Sequence, residues 1–355
     1  MEKIMPLYNP LDMKRFSQQV FEKLGACPED AYIAADALVR ANLEGVDSHG
    51  ISRLAIYARR MKEGRIQAAP HISVEKKGES VLLVDGDHGL GQIVAAHSVK
   101  AGMELAKKTG LAAVAVRNSN HFGTASYFCQ MACEQGLGIM AFTNSPPGIA
   151  PWGGKKAFFG TNPIAFGFPT GTDTPVIIDM STSVVARGKI ILAAKQGQSI
   201  PNGWAMNEQG VETQDAQEAL RGAVLPLGGA KGYALALAIE ILTGVLSGAA
   251  FGPHVKNMYD EHDEKSNIGH FFILFDIEKF MDLSHFKLLI DQFLEEVKSV
   301  PKAEGVDEIL YPGERRSKEY RRRLDTGIAL SEEVEKELRL LGEELELYLP
   351  ATILI

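Results

Sequence analysis

LAAVAVRNSNHFGTASYFCQMACEQGLGIMAFT, residues 111–143, is the stretch that decides the fold. Residues 111–117 form a short apolar run that ends in polar residues, the pattern of a buried strand. Residues 125–135 carry apolar side chains at helical spacing and stop at Gly136, a residue that ends helices readily. Residues 137–143 read as a second apolar strand. Upstream, residues 80–85 predict another strand and 94–109 an amphipathic helix closed by Gly110. Strand and helix alternate, which places the chain in the α/β class. Downstream, 164–168 and 176–179 predict two further strands. The turn-rich 169–175 between them leaves no room for a helix. These two strands therefore form a hairpin, and the sheet is mixed rather than all-parallel.

Helices flank this layer. Residues 11–24 and 31–43 have helical spacing, with Gly25 and Gly45 as stops, and Ser48 is placed to cap a third helix running to about Glu63. A long apolar helix over 231–247 follows a Gly-rich loop, and 270–276 reads as a strand. Residues 283–300 and 331–346 are charged and helical. No repeat or low-complexity tract interrupts the pattern.

The bulk numbers bound the function. The chain has 355 residues and a net charge of −8, which argues against nucleic acid as a main partner. No apolar run reaches the eighteen or so residues that span a bilayer. The best candidate, 234–246, contains Glu240. The N-terminus has no apolar signal core, so a cytoplasmic protein with no membrane partner is expected. Cys27, Cys129 and Cys133 form no metal-ligand or disulfide pattern. No metal is expected.

Several clusters suit chemistry. In DSHGISRLAIY, residues 47–57, His49, Arg53 and Tyr57 are spaced i, i+4, i+8 and would share one face of a helix. Hydride transfer to a 2-oxo acid needs an acid for the carbonyl oxygen and a guanidinium for the carboxylate. The same spacing also suits an ordinary polar helix face. His121, in a polar loop directly after a strand, sits where α/β proteins place ligands; a loop histidine bonded to backbone fits equally. Asp179-Met180-Ser181-Thr182-Ser183 at a strand end suits a pyrophosphate, and Asp179 could instead orient a histidine. Turn and cap chemistry also explains such clusters. Gly228-Gly229-Ala230-Lys231 before a helix makes an anion site, without Walker A spacing. Gly89-Leu90-Gly91 is a partial dinucleotide fingerprint whose third glycine position holds Val94, so it carries little weight.

Taken together, these segments resemble the second type of malate/L-lactate dehydrogenase family, which includes sulfolactate, ureidoglycolate and diketogulonate dehydrogenases and a cyclic-imine reductase. The matching pieces run in order along nearly the whole chain: 45–50, 118–121, Pro151-Trp152-Gly153-Gly154, Gly160-Thr161-Asn162-Pro163, 179–183, Gly188-Lys189, Ile200-Pro201 with Gly203-Trp204-Ala205, Leu225-Pro226 with Lys231-Gly232, and Tyr311-Pro312-Gly313-Glu314. The resemblance implies a non-Rossmann nucleotide-binding domain with a mixed sheet, over 76–299. It implies a helical substrate and dimerisation domain built from 1–75 and 300–355, and a homodimer. It implies NAD, or NADP, as cofactor and a small anionic 2-hydroxy/2-oxo acid as substrate. On it, His49 is the proton donor, relayed through Ser48 and Asp179; Arg53 grips the carboxylate; and His121 is a rival acid/base. Tyr57 is placed to shape the substrate pocket, and a tyrosine that only packs the helix fits its position equally. Ser145, Ile178, Asp179, Met180, Ser181, Thr182, Ser183, Lys231, Gly313 and Glu314 become cofactor contacts. One departure is the short 221–230 segment, where some members carry a longer Gly-rich insert. A cyclic imino-acid reductase on the same fold is the alternative. A non-catalytic binding protein is disfavoured, because none of the expected site residues is missing.

Overall fold

The structure, a computed structural model, describes residues 5–260 and 264–353. The chain opens with β1 (Leu7–Tyr8), α1 (Pro10–Lys23), α2 (Pro28–Leu43) and α3 (Leu54–Lys62). Asn9 caps α1 by accepting from Leu11 N and Asp12 N, and Pro10 fits the first helical turn. Met13, Phe16, Val20 and Phe21 form the α1 stripe that the sequence spacing predicts, and it is buried. The third helix differs from expectation. Two tight turns, Asp47–His49 and Ile51–Arg53, precede α3, and Ser48 caps nothing.

The sheet is built in chain order from β2 (Ser73–Gly78), β3 (Val81–Asp85), α4 (Gly91–Thr109), β4 (Leu111–Ser119), α5 (Ala125–Glu134), β5 (Leu137–Thr143), β6 (Ile164–Phe168) and β7 (Val176–Met180). A small unit follows: α6 (Arg187–Lys195), β8 (Ala205–Met206), β9 (Glu212–Thr213), α7 (Ala216–Arg221) and β10 (Ala223–Val224). Next come α8 (Ala230–Glu240), continued by a single wide turn over Ile241–Val245, and β11 (Ile268–Asp276). The chain closes with α9 (Leu283–Ser299), α10 (Glu314–Thr326), β12 (Ile328–Ala329) and α11 (Glu332–Leu345).

Seven strands line up as β2-β3-β4-β11-β5-β6-β7. Only β3 and β4 pair in parallel; every other neighbouring pair is antiparallel. The mixed sheet and the β6–β7 hairpin are as the sequence reads. The position of β11 is not. It enters from far along the chain and separates β4 from β5, which are sequential in the chain. It can do so because it is apolar along almost its whole length and tolerates burial on both faces.

Side chains alternate across the layer. Val114, Val116, Ile139 and Phe272 face α4 and α5, while Ala115, Phe142 and Phe271 face Ile239 of α8. A second core joins the two ends of the chain: Phe16, Leu38, Leu54 and Tyr57 pack with Ile328, Leu330, Leu338 and Leu341. No described helix is long and apolar enough to cross a membrane.

Candidate active site

Strand direction gathers the polar loops. β3 is parallel to β4, and β4 and β5 both run against β11, so they point the same way. Two antiparallel steps carry that direction to β7. The loops after β3, β4, β5 and β7 therefore leave one edge of the sheet, the edge where α/β folds bind ligands. His121, Ser145 and Ser181–Ser183 are on those loops. His270 of β11 ties two of the strand ends together, with Nε2 2.7 Å from Ser119 Oγ and Nδ1 2.8 Å from Thr143 Oγ1. It is fully buried and stacked on Phe122, the residue after His121.

The helical layer supplies the opposing wall. Asn42 of α2 shapes the turn that carries His49: its Oδ1 accepts from Ile51 N at 2.7 Å and its Nδ2 donates to Asp47 Oδ1 at 2.6 Å. A Cβ on Gly50 would lie 2.1 Å from Asn42 Oδ1, so only glycine fits there. His49, Arg53 and Tyr57 thus come from a turn, a helix start and a helix rather than one continuous helix, yet they converge. The His49 and His121 rings lie 5.4 Å apart, tilted by 31°. Tyr57 Oη is 2.6 Å from His121 Nδ1. Ser48 Oγ is 3.0 Å from His49 Nδ1. Arg53 Nε donates to Ser48 O at 2.6 Å, and its guanidinium lies over the Tyr259 ring.

The electrostatics follow from this packing. Burial, then the Arg53 and Arg316 cations, push the His49 pKa down to about 4. Burial, then His49, Arg53 and His270, hold His121 well below the ordinary range. Burial raises Tyr57 to about 12, so its phenol keeps its hydrogen. Both histidines are neutral at pH 7 before any anion binds.

Asp179 lies elsewhere than the expected relay. Its Oδ2 accepts from Ser126 N, at the start of α5, and from Arg316 Nη1 at 3.2 Å. Arg316 also reaches Glu44 and Ser126 Oγ. No hydrogen bond between Asp179 and Ser48 or His49 is present among the described residues.

The expected cofactor loops are knitted to one another. Ser145 Oγ accepts from Thr161 N at 3.1 Å; Thr161 O accepts from Thr182 N at 3.0 Å; Thr182 O accepts from Leu227 N at 2.9 Å. This chain of bonds sets Ser181–Ser183 beside the start of α8, whose first backbone N–H groups have no intrahelical partner. Lys231 is exposed and makes no ion pair among the described residues. A cavity of about 810 Å³, lined by Trp152, Val184, Leu225, Pro226, Gly228 and Gly229, opens at this point. These groups fit a dinucleotide phosphate, which needs free N–H donors and a cation. Ile178 and Met180 extend β7 into the cluster. Gly313 and Glu314 do not join it. Gly313 packs on Pro175 and Ile177 at the other end of β7, and Glu314 is held by Lys298.

The malate/L-lactate dehydrogenase family model matches residues 9–339. This chain belongs to the malate/L-lactate dehydrogenase family. It is 43% identical over 331 residues to the malate dehydrogenase of Pyrococcus horikoshii, covering 91% of each chain. The solved structure of malate dehydrogenase from Pyrococcus horikoshii OT3 superposes with a TM-score of 0.89, covering 98% of this chain and 97% of that one. It is 40% identical over 320 residues to a (2R)-3-sulfolactate dehydrogenase (NADP(+)) of Chromohalobacter salexigens, covering 90% of this chain and 92% of that one. It is 32% identical over 306 residues to the ureidoglycolate dehydrogenase (NAD(+)) of Escherichia coli K12, covering 86% and 87%.

Within this member of the malate/L-lactate dehydrogenase family, sequence reasoning missed several residues around the site. Arg316 and Arg323 lie on α10, which has no apolar stripe and so no helical periodicity to find. Arg323 binds Asp47 and Asn42 O, clamping the His49 turn. The charge spacing Glu319, Arg322, Arg323 is the signal that could have revealed the helix. Gly91 was visible as part of a decoy; its role is packing. A Cβ there would lie 2.2 Å from Asn120 O and 2.4 Å from His121 O.

Proposed function

We propose that this chain is an NAD(P)-dependent dehydrogenase that moves a hydride between nicotinamide and carbon 2 of a small anionic 2-hydroxy/2-oxo acid. The observation that carries this reading is the neutral, closely apposed His49–His121 pair beside Arg53, on the edge where the phosphate-binding loops gather. When bound, the nicotinamide supplies or accepts the hydride. The chain does the rest. Arg53 offers its terminal amino groups to the substrate carboxylate and fixes the carbon in place. His49, with Ser48 on its Nδ1, exchanges a proton with the substrate oxygen, and His121 faces it across the same space. Tyr57 forms the floor. Ser145, residues 178–183 and Lys231 hold the dinucleotide, NAD or NADP, whose phosphates would meet the start of α8.

The assignment of 76–299 to dinucleotide binding and of 1–75 with 300–355 to substrate binding and dimerisation rests on this division of labour. A homodimer is supported by the surface of α8 and its continuation. From Ala234 to Leu246 its one charged residue is the buried Glu240, yet Ile241, Val245 and Leu246 are 49%, 59% and 60% exposed. A helix apolar all round is normally covered.

The test is a spectrophotometric panel of 2-oxo acids and a cyclic imino acid, each with NADH and NADPH. Oxidation of either cofactor by a 2-oxo acid, abolished by His49→Ala together with His121→Asn, is the expected result. Turnover of the cyclic imino acid alone would replace the carbonyl by an imine as the bond reduced. No turnover with any substrate would sink the reading.

A further inference from the structure

Gln92 lies in the first turn of α4 and is completely buried. Its niche is made by two glycines. Gly91 lets the helix start touch the backbone of residues 120 and 121, and a Cβ on Gly123 would come within 3.2 Å of Gln92 Nε2. The amide nitrogen lies 3.3 Å from Tyr57 Oη, whose other partner is His121 Nδ1 at 2.6 Å. The amide oxygen, Oε1, is buried and has no partner among the described residues. Leaving a buried acceptor unpaired is destabilising, so an apolar side chain of similar size would suit this place better if packing were its only purpose.

The donor and acceptor inventory gives the purpose. Gln92 Nε2 can only donate, so it occupies an acceptor position of the Tyr57 oxygen. Among the described residues the phenol hydrogen then has one acceptor in reach, His121 Nδ1. That nitrogen carries no hydrogen, and the neutral imidazole holds its proton on Nε2. In the orientation found, Oε1 and one of the two Nε2 hydrogens are unpaired; the reverse orientation would leave both amide hydrogens unpaired and turn the carbonyl oxygen toward Tyr57 Oη.

We propose that Gln92 is a positioning residue: through Tyr57 it fixes His121 as the Nε2–H tautomer, so that His121 presents a hydrogen-bond donor to the substrate oxygen while His49 transfers the proton. This rests on the reading above that His121 faces the substrate. Tyr57 remains protonated throughout, and no charge is created in the buried chain of bonds.

Two isosteric changes test it. Gln92→Met removes the donor and the orphaned oxygen together. Gln92→Glu replaces a fixed donor by a group that donates when protonated and only accepts when ionised. The readouts are the nitrogen-15 spectrum of His121 in the substrate-free protein, assigned by its loss in His121→Asn, with thermal unfolding and kcat at saturating cofactor. Wild type should show Nδ1 unprotonated. Gln92→Met should unfold no earlier than wild type, yet lose the single tautomer and turn over about 10-fold or more slowly, since one donor to a developing oxyanion is worth about 10²–10³-fold. Gln92→Glu should switch tautomer as the introduced carboxyl group ionises, with kcat falling as pH rises. A tautomer unchanged in both variants, or stability and turnover lost together with no tautomer change, overturns the proposal. A changed tautomer with unchanged kcat upholds the positioning and overturns the role of His121 at the substrate.

Discussion

The imidazole rings of His49 and His121 lie 5.4 Å apart, although they come from the helical layer and from the end of β4. A proton on either ring disfavours a proton on the other, and His49 is itself among the causes that depress His121. They therefore act as one unit. His49→Asn and His121→Asn should each lower kcat, His49→Asn by about 10²–10⁴-fold, the range of general acid–base catalysis. The double variant should lose far less than the product of the two losses, because residues of one unit are not additive. Multiplicative losses in steady-state kcat would mean two separate roles.

The pH dependence has a definite sign. With its pKa pushed down to about 4, His49 is neutral and ready as a base at any higher pH. Oxidation of the hydroxy acid, read as kcat/KM, should stay flat from pH 8 to about 5 and fall below about pH 4. Reduction needs the protonated ring, so its kcat/KM should decline with rising pH across the same range. A carboxylate on Arg53 offsets one of the cations that depress His49. The break in kcat should therefore lie at a higher pH than the break in kcat/KM. Coincident breaks would separate Arg53 from the substrate.

Arg53 is anchored through Nε to Ser48 O, and its terminal amino groups make no hydrogen bond among the described residues. They are free for a carboxylate. Arg53→Lys keeps the charge but loses the fork. It should raise KM for the acid about 10- to 100-fold, as expected for a charge-assisted pair worth roughly 1.5–3 kcal/mol. Cofactor affinity, followed by fluorescence titration, should not move. A matching loss of cofactor affinity would place Arg53 at the dinucleotide instead.

Much of the sheet was legible because local period and long-range role agree there. The 137–143 and 164–168 strands have the bounds the apolar runs predict. The insertion of β11 between β4 and β5 was not legible, since no local pattern states which strand a strand will pair with. His49 and Arg53 stood out by chemistry, but their expected helix did not form, because Asn42 and Gly50 impose a turn through a contact nine residues away. The apparent relay partner Asp179 is bound instead by Arg316, on a helix whose charges mask it from any test of apolar spacing. Gln92 was invisible for another reason: it lies in the first turn of α4, ahead of the stretch whose spacing reveals the helix, and matters only through Tyr57.

Lys231 stands in the first turn of α8, with its free N–H groups, and has no counter-ion among the described residues. Lys231→Met should weaken nicotinamide dinucleotide binding by about 10-fold, the order expected for one charge-assisted bond of roughly 1.5 kcal/mol. The wild-type affinity should fall with added salt more steeply than that of the variant. Titration at two ionic strengths checks both. An unchanged Kd would remove Lys231 from the phosphate site.

Arg316 links stability and catalysis with opposite signs. Its guanidinium holds Asp179 and Glu44, both largely buried, and also Ser126 Oγ. Arg316→Gln leaves those two carboxylates without this cation, although Glu44 keeps Arg40 at 2.8 Å. Breaking a buried ion network from one side costs about 3 kcal/mol, so thermal unfolding should move down by several degrees. The same cation is one of the causes that lower His49. Its removal should shift the His49 break in the kcat/KM profile to higher pH, which at pH 6 favours the protonated, reducing form. A variant that is less stable but keeps the wild-type pH profile would make Arg316 a strut alone. A shifted profile would show that α10, from outside the site, sets the protonation state of the residue at its centre.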